Sequence, residues 1–525
     1  ARAVLVVGIT VALVAVVGGG AAIVGWDGGS PGPARPRPVV RPARALTTTT
    51  TTSTPAPPTF SAAVENAQAG SPGWTVHHPS TAGQIEGYAG TTSAQQGDTV
   101  TLYVTSTAPT WTATAYRMGW YGGLLARQVW QSDAQPGVVQ PAANVANGTH
   151  LVYTTWAPSL QVPITAAWPP GDYLFKLVSS TGWDSYVPLT VRDDRSQAAI
   201  LVVNSVTTWE AYNLWGGYDL YSGPGRPGTR ATVVSFDRPY RLGAGSGDFL
   251  GNEERLVKLV EEEGLDVSYA TDVDLDLHPQ LLLQHRVVVS LGHDEYYSTA
   301  MRNAVTAARD HGVNLLYLGA NAIYRHIRLQ PSALGPDRVE VNYRVAKLDP
   351  LNGKDNADVT VQWRDPPNND PESSVLGEMY QCNRVLAPLV VTDPTAWVFA
   401  GTGLTAGQAL AGLVGSEYDH WAPSERQPPG SGVQLMAQSP VVCRGVRSTS
   451  DMTYYVAPSA AGVIDVGTNL WVPSILSDAD PALGSMVARI TLTMLGEASA
   501  GPLGRLHPAR TTAVVGPQGN APAGE

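Results

Sequence analysis

The chain has 525 residues, 43% of them hydrophobic, which accommodates roughly three domains at about 150 residues each, with sizeable apolar cores. Its formal charge of −11 argues against a nucleic-acid partner, which would call for a basic patch. The sequence contains no HExxH and no paired CxxC, so zincin and zinc-ribbon readings fall away.

Residues 3–24 are an almost unbroken apolar run, long enough to cross a bilayer. They lack a small-x-small cleavage site, so residues 1–28 are expected to be an uncleaved anchor rather than a cleaved signal. Arg35, Arg37, Arg41 and Arg44 follow the run, against the positive-inside rule. Residues 29–59 outweigh this. Their proline, serine and threonine content cannot form a core and reads as an extended stalk, typical of a surface protein. The expected location is therefore the cell membrane, single-pass with most of the chain outside the cytoplasm, or else secretion. In an exported chain the pair Cys382 and Cys443 suggests one disulfide, with two buried thiols as the alternative.

Residues 60–195 show short alternating runs, such as TVTLYVT at 99–105 and GDYLFKLV at 171–178, separated by turns. This pattern predicts an immunoglobulin-like β-sandwich. From 196 to 500 strands alternate with helices, which predicts an α/β domain with a mainly parallel sheet. Buried strands are expected at 199–204, 266–270, 287–291 and 313–318, and helices at 253–263, 298–310 and 482–495. Weaker strand signals lie at 413–416, 453–456 and 462–466. Residues 501–525 read as a disordered tail.

The strand at 287–291 runs straight into Gly292-His293-Asp294-Glu295-Tyr296-Tyr297, and the next strand ends at Gly319-Ala320-Asn321. Parallel strands present reactive groups at their carboxyl ends. His293 suits proton transfer or polarisation and Glu295 suits metal binding. The structural alternative is a helix start capped by Asp294, with Glu295 in the first turn. Asn321 could orient a substrate, or sit in a left-handed turn. Glu417, in GSEYD at 415–419, could be a general base or a solvated loop acid. The loop at 208–221 carries Trp209, Tyr212, Trp215, Tyr218 and Tyr221, which could line a pocket, plug a domain interface or supply phenolates to ferric iron. GAGSG at 243–247 follows no clear strand and reads as a turn.

With YRMGWYGG at 116–123, GDY at 171–173, TWEAYN at 208–213, GHDEY at 292–296, GAN at 319–321 and GSEYD, the chain resembles the N,N-dimethylformamidase large-subunit family. The resemblance spans about residues 85–495. It implies a β-sandwich joined to an α/β domain like that of class I glutamine amidotransferases. It also implies mononuclear ferric iron on two tyrosines and one glutamate, carried over to Tyr212, Tyr173 and Glu295. The neighbouring histidine, asparagine and second acid carry over to His293, Asn321 and Glu417. Asp294 stands where the family usually has proline, and the anchor and stalk also depart from the cytoplasmic family enzyme with its small partner subunit. The expected activity is iron-assisted hydrolysis of a small amide, in a chain that can be oligomeric. The alternative is a non-catalytic surface protein that binds a glycan or another cell-envelope ligand.

Overall fold

Alternating apolar side chains set up two antiparallel sheets in the N-terminal half. One joins Ile85–Ala89, Thr99–Ser106 and Leu160–Pro163. The other runs Ser93–Gln95, Asp184–Arg192, Gly171–Ser179, Thr110–Met118 and Ala126–Gln131, with only its first pair parallel. Side chains from both sheets, including Leu102, Val104, Trp111, Phe175 and Leu177, meet in one core. These features belong to a computed structural model, which describes residues 60–81, 83–225 and 229–510. The chain divides into two units, Ala1–Pro57 and Pro58–Glu525, and every described residue belongs to the second. The anchor expected at 1–28 and the stalk expected at 29–59 lie outside the described residues. Among the described residues no helix is long and apolar enough to cross a membrane.

Past residue 196 the fold is mixed α/β. A seven-stranded sheet has the order Val267–Thr271, Ile200–Asn204, Val287–Gly292, Asn314–Gly319, Gly462–Asp465, Val446–Val456, Gln434–Cys443. The first five strands are parallel and the last two antiparallel. The central strands are buried along their whole length, as expected of parallel strands covered on both faces. The five parallel strands, counted in chain order, lie 2-1-3-4-5. The order therefore reverses between Ile200–Asn204 and Val287–Gly292, and such a reversal opens a crevice beyond the carboxyl ends of those strands.

The helix Thr299–Asp310 starts where expected, but its cap is Ser298, whose hydroxyl accepts from the Met301 amide at 3.1 Å. Asp294 is not the cap, because the short strand Tyr296–Ser298 intervenes. At the C-terminus, Asp480 caps the helix Pro481–Ala500. The disorder expected from Gly501 does not begin there. Leu503 is fully buried, its amide bonds the Asn314 side chain, and the carbonyl of His507 accepts from the Tyr454 hydroxyl.

Polar groups fasten the β half to the α/β half. Arg117 and Glu261 form a fully buried ion pair at 2.6 Å, joined by the hydroxyls of Tyr121 and Tyr269. Removing one partner of such a pair strands a buried charge, which typically costs about 3–5 kcal/mol. Gly171 is required beside it, because a Cβ there would meet the Arg117 guanidinium at 2.7 Å. The adjacent Asp172 accepts from Asn204, at the end of the first parallel strand.

A long hairpin, Met379–Val390 with Ala409–His420, lies against the antiparallel end of the sheet. Cys382 and Cys443 are bonded, tying this hairpin to the last strand of the sheet. The loop they close spans 61 positions. Replacing both cysteines by serine is therefore expected to lower stability by about 2–5 kcal/mol in a urea titration. An unchanged midpoint would show that the bond adds nothing to the folded chain.

Candidate active site

The sheet reversal gathers the polar groups. Tyr212 closes the helix Val206–Ala211, which follows the first parallel strand. His293 and Glu295 follow the strand Val287–Gly292, and Asn321 follows Asn314–Gly319. Glu417 arrives from the side, on the hairpin strand Ala409–His420.

Glu295 is buried at the centre. Its Oε2 lies 2.7 Å from the Tyr212 hydroxyl, and its two oxygens lie 2.8 and 2.9 Å from the Tyr221 hydroxyl. The two phenols are 2.8 Å apart with stacked rings, and the Tyr296 hydroxyl donates to Tyr221 at 2.7 Å. Arg325 approaches Glu295 at 3.3 Å, and the Arg344 guanidinium covers the Tyr221 ring at 3.7 Å. Burial alone would raise the Glu295 carboxyl. The His293 hydrogen bond and the charges of His293, Arg325 and Arg344 outweigh it and hold the group at about 2. Burial, reinforced by the Glu295 charge, pushes the Tyr212 phenol well up.

His293 Nε2 lies 3.1 Å from Glu417 and 3.4 Å from Glu295. Burial disfavours its cation, but these two carboxylates reverse the effect and raise it well above the ordinary imidazole range. Asn321 has a left-handed backbone, φ 62°, fixed by its amide donating to Asp419 at 2.8 Å. Its Nδ2 donates to Glu417 at 3.0 Å and lies 3.3 Å from His293. That leaves Oδ1 buried without a partner, so the free end of this side chain is an acceptor. Glu417 also accepts from Asn383 and Asn469. A cavity of about 430 Å³ opens in front of His293, Glu417 and Tyr212.

Five of the six residues expected at the site are brought together: Tyr212, His293, Glu295, Asn321 and Glu417. Tyr173 is not among them. It is buried in the core of the β half beside Trp168, and its hydroxyl donates to the Pro169 carbonyl at 2.7 Å. The GDY motif thus serves the junction and the turn before its own strand. The second phenol beside Glu295 is Tyr221. It was one of five aromatics in its loop, and nothing in the sequence singles it out. Tyr218, in the same loop, instead stacks on His150. Arg325 and Arg344 carried no sequence signal beyond their proximity to the motifs. Asp294 faces elsewhere, accepting from Ser290 and Tyr297 at 2.6 Å each.

Among the described residues no group of three or more His, Cys, Asp or Glu is placed to hold a metal ion. The Tyr212–Tyr221–Glu295 triplet is a different donor set. Loss of two phenolic protons would leave it with three anionic oxygens, hard donors that suit ferric iron.

The family model for the N,N-dimethylformamidase beta subunit-like C-terminal region matches residues 112–481. The chain belongs to that family. All the motifs quoted above fall inside the matched span. No curated protein matches the chain. Among solved structures, an uncharacterized Bacillus anthracis protein is 15% identical over 22% of this chain and 85% of its own, with a TM-score of 0.14. Murine CEACAM1b is 11% identical over 23% and 62%, with a TM-score of 0.12. A Paenibacillus cycloisomaltooligosaccharide glucanotransferase is 9% identical over 44% of each chain, with a TM-score of 0.14. Likenesses this slight carry no argument about the family member described here.

Proposed function

We propose that this chain hydrolyses a C–N amide bond outside the cytoplasm, with iron held by Tyr212, Tyr221 and Glu295. The observation that carries the reading is two phenols and one carboxylate in mutual contact, set beside His293, Glu417 and Asn321. That is the ligand chemistry implied by the family, with Tyr221 in the place expected of Tyr173. The family resemblance also supports reading the β half as immunoglobulin-like and the α/β half as related to class I glutamine amidotransferases. The apolar run, the stalk composition and the disulfide support export.

When bound, iron supplies Lewis acidity toward the amide carbonyl. Glu417 takes a proton from the attacking water and returns it to the departing amine. His293, kept cationic by its two carboxylates, donates toward the oxygen on which negative charge develops. The free Oδ1 of Asn321 orients the water by accepting a hydrogen bond from its other O–H.

Elemental analysis and a visible spectrum of the purified chain, followed by a panel of amides, test this reading. The expected result is stoichiometric iron, a phenolate-to-iron absorption band and release of free amine from at least one amide. Protein that binds no iron and cleaves no amide would instead favour a non-catalytic ligand-binding role.

A further inference from the structure

The cavity in front of His293 has an unbalanced wall. Asp248, Glu253 and Glu417 line it, and among the described residues no lysine or arginine does. His293, the one basic group in the lining, is already matched by Glu295 and Glu417. Among the described residues Asp248 and Glu253 have no cationic partner in hydrogen-bonding reach. Asp248 accepts only from the Gly245 amide, at 3.0 Å. Glu253 is 1% exposed; its Oε1 accepts from the Trp209 indole at 2.8 Å and from the Ser205 amide at 3.3 Å, while its Oε2 is buried with no partner. Two aromatic residues, Trp209 and Tyr212, line the same cavity.

Stranding a carboxylate oxygen away from water is costly unless a donor meets it. Carboxylates beside aromatic rings are the surroundings that an alkylammonium group favours, through charge-assisted hydrogen bonds and contact with ring faces. We propose that the cavity takes an amide substrate bearing an ammonium group, with Asp248 and Glu253 as its subsite. The choice of an amide rests on the hydrolase reading; the choice of a cation rests on the wall alone. The volume of about 430 Å³ fits a ligand with a chain of several carbons and exceeds what a one-carbon amide fills. Burial pushes Asp248 up to about 7, against the neighbouring His293 charge and the Gly245 bond, and pushes Glu253 well above the usual carboxylate range. An entering cation favours the ionised form of both.

The test is calorimetric titration of the full chain at a fixed, mildly alkaline pH with three probes of similar length. N-(4-aminobutyl)acetamide carries an ammonium, N-pentylacetamide is neutral, and N-acetyl-5-aminovalerate carries a carboxylate. The ammonium probe is expected to bind at least about tenfold tighter than the neutral one, and the carboxylate probe weakest. In Asp248→Asn and in Glu253→Gln the preference for the cation should fall toward parity. Asp248 lies nearer the surface, so Asp248→Asn decides the matter if Glu253→Gln does not fold. Equal binding of the ammonium and neutral probes, or a preference that survives both substitutions, overturns the subsite. Amine release is followed in parallel. Selective binding without release upholds the subsite and removes the hydrolase reading. Release from the neutral amide without cation preference does the opposite.

Discussion

Glu417→Gln is expected to slow amide hydrolysis by about 10²–10⁴-fold while leaving iron content and colour at the wild-type level. Glu417 lies on the hairpin and faces the cavity, and its oxygens accept from Asn321, Asn383 and Asn469 beside the His293 ring. Glutamine keeps the size but cannot take a proton. Its new NH₂ can be met by the Asn321 amide after rotation, because Asn321 Oδ1 has no competing partner. The fold should therefore survive. Single-turnover amine release and iron analysis on the same preparation are the measurements. Loss of iron would move Glu417 among the ligands. An unchanged rate would leave it a structural acid.

The second large effect separates three tyrosines. Phenylalanine keeps the ring and removes only the oxygen. Tyr212→Phe and Tyr221→Phe should each lower iron content and bleach the charge-transfer band, because each oxygen contacts Glu295. Tyr173→Phe should keep both signals and lose about 0.5–1.5 kcal/mol of stability, the worth of its bond to the Pro169 carbonyl. Iron lost from Tyr173→Phe, or fully retained in Tyr221→Phe, would sink this assignment.

The contrast shows what the amino-acid pattern can carry. The strands Val287–Gly292 and Asn314–Gly319 are legible because they are apolar on both faces, and only a covered parallel strand has that need. Their carboxyl ends then point to His293, Glu295 and Asn321 without further information. The hairpin strand Ala409–His420 is harder to see. Three of its first four residues are exposed, so only four of its twelve residues read as strand. Tyr221 is illegible for another reason. Gly216 and Gly217 both adopt positive φ and bend the loop, and the bend decides which of its aromatics reaches Glu295. Tyr173 misleads because a motif shared across a family marks any constraint, including the space that Arg117 requires beside Gly171.

Cys382 stands one residue before Asn383, which donates to Glu417. The clasp to the sheet edge is therefore adjacent to the group that holds Glu417. The parallel sheet and the tyrosine pair need no oxidant, whereas the hairpin is secured only after two thiols have lost their electrons. Polypeptide made in a reducing cytoplasm and polypeptide passed through an oxidising envelope are then different materials, although their sequences are identical. The first retains its tyrosine–glutamate cluster but leaves the segment bearing Glu417 unfastened, so the choice of expression host becomes an experimental variable in its own right.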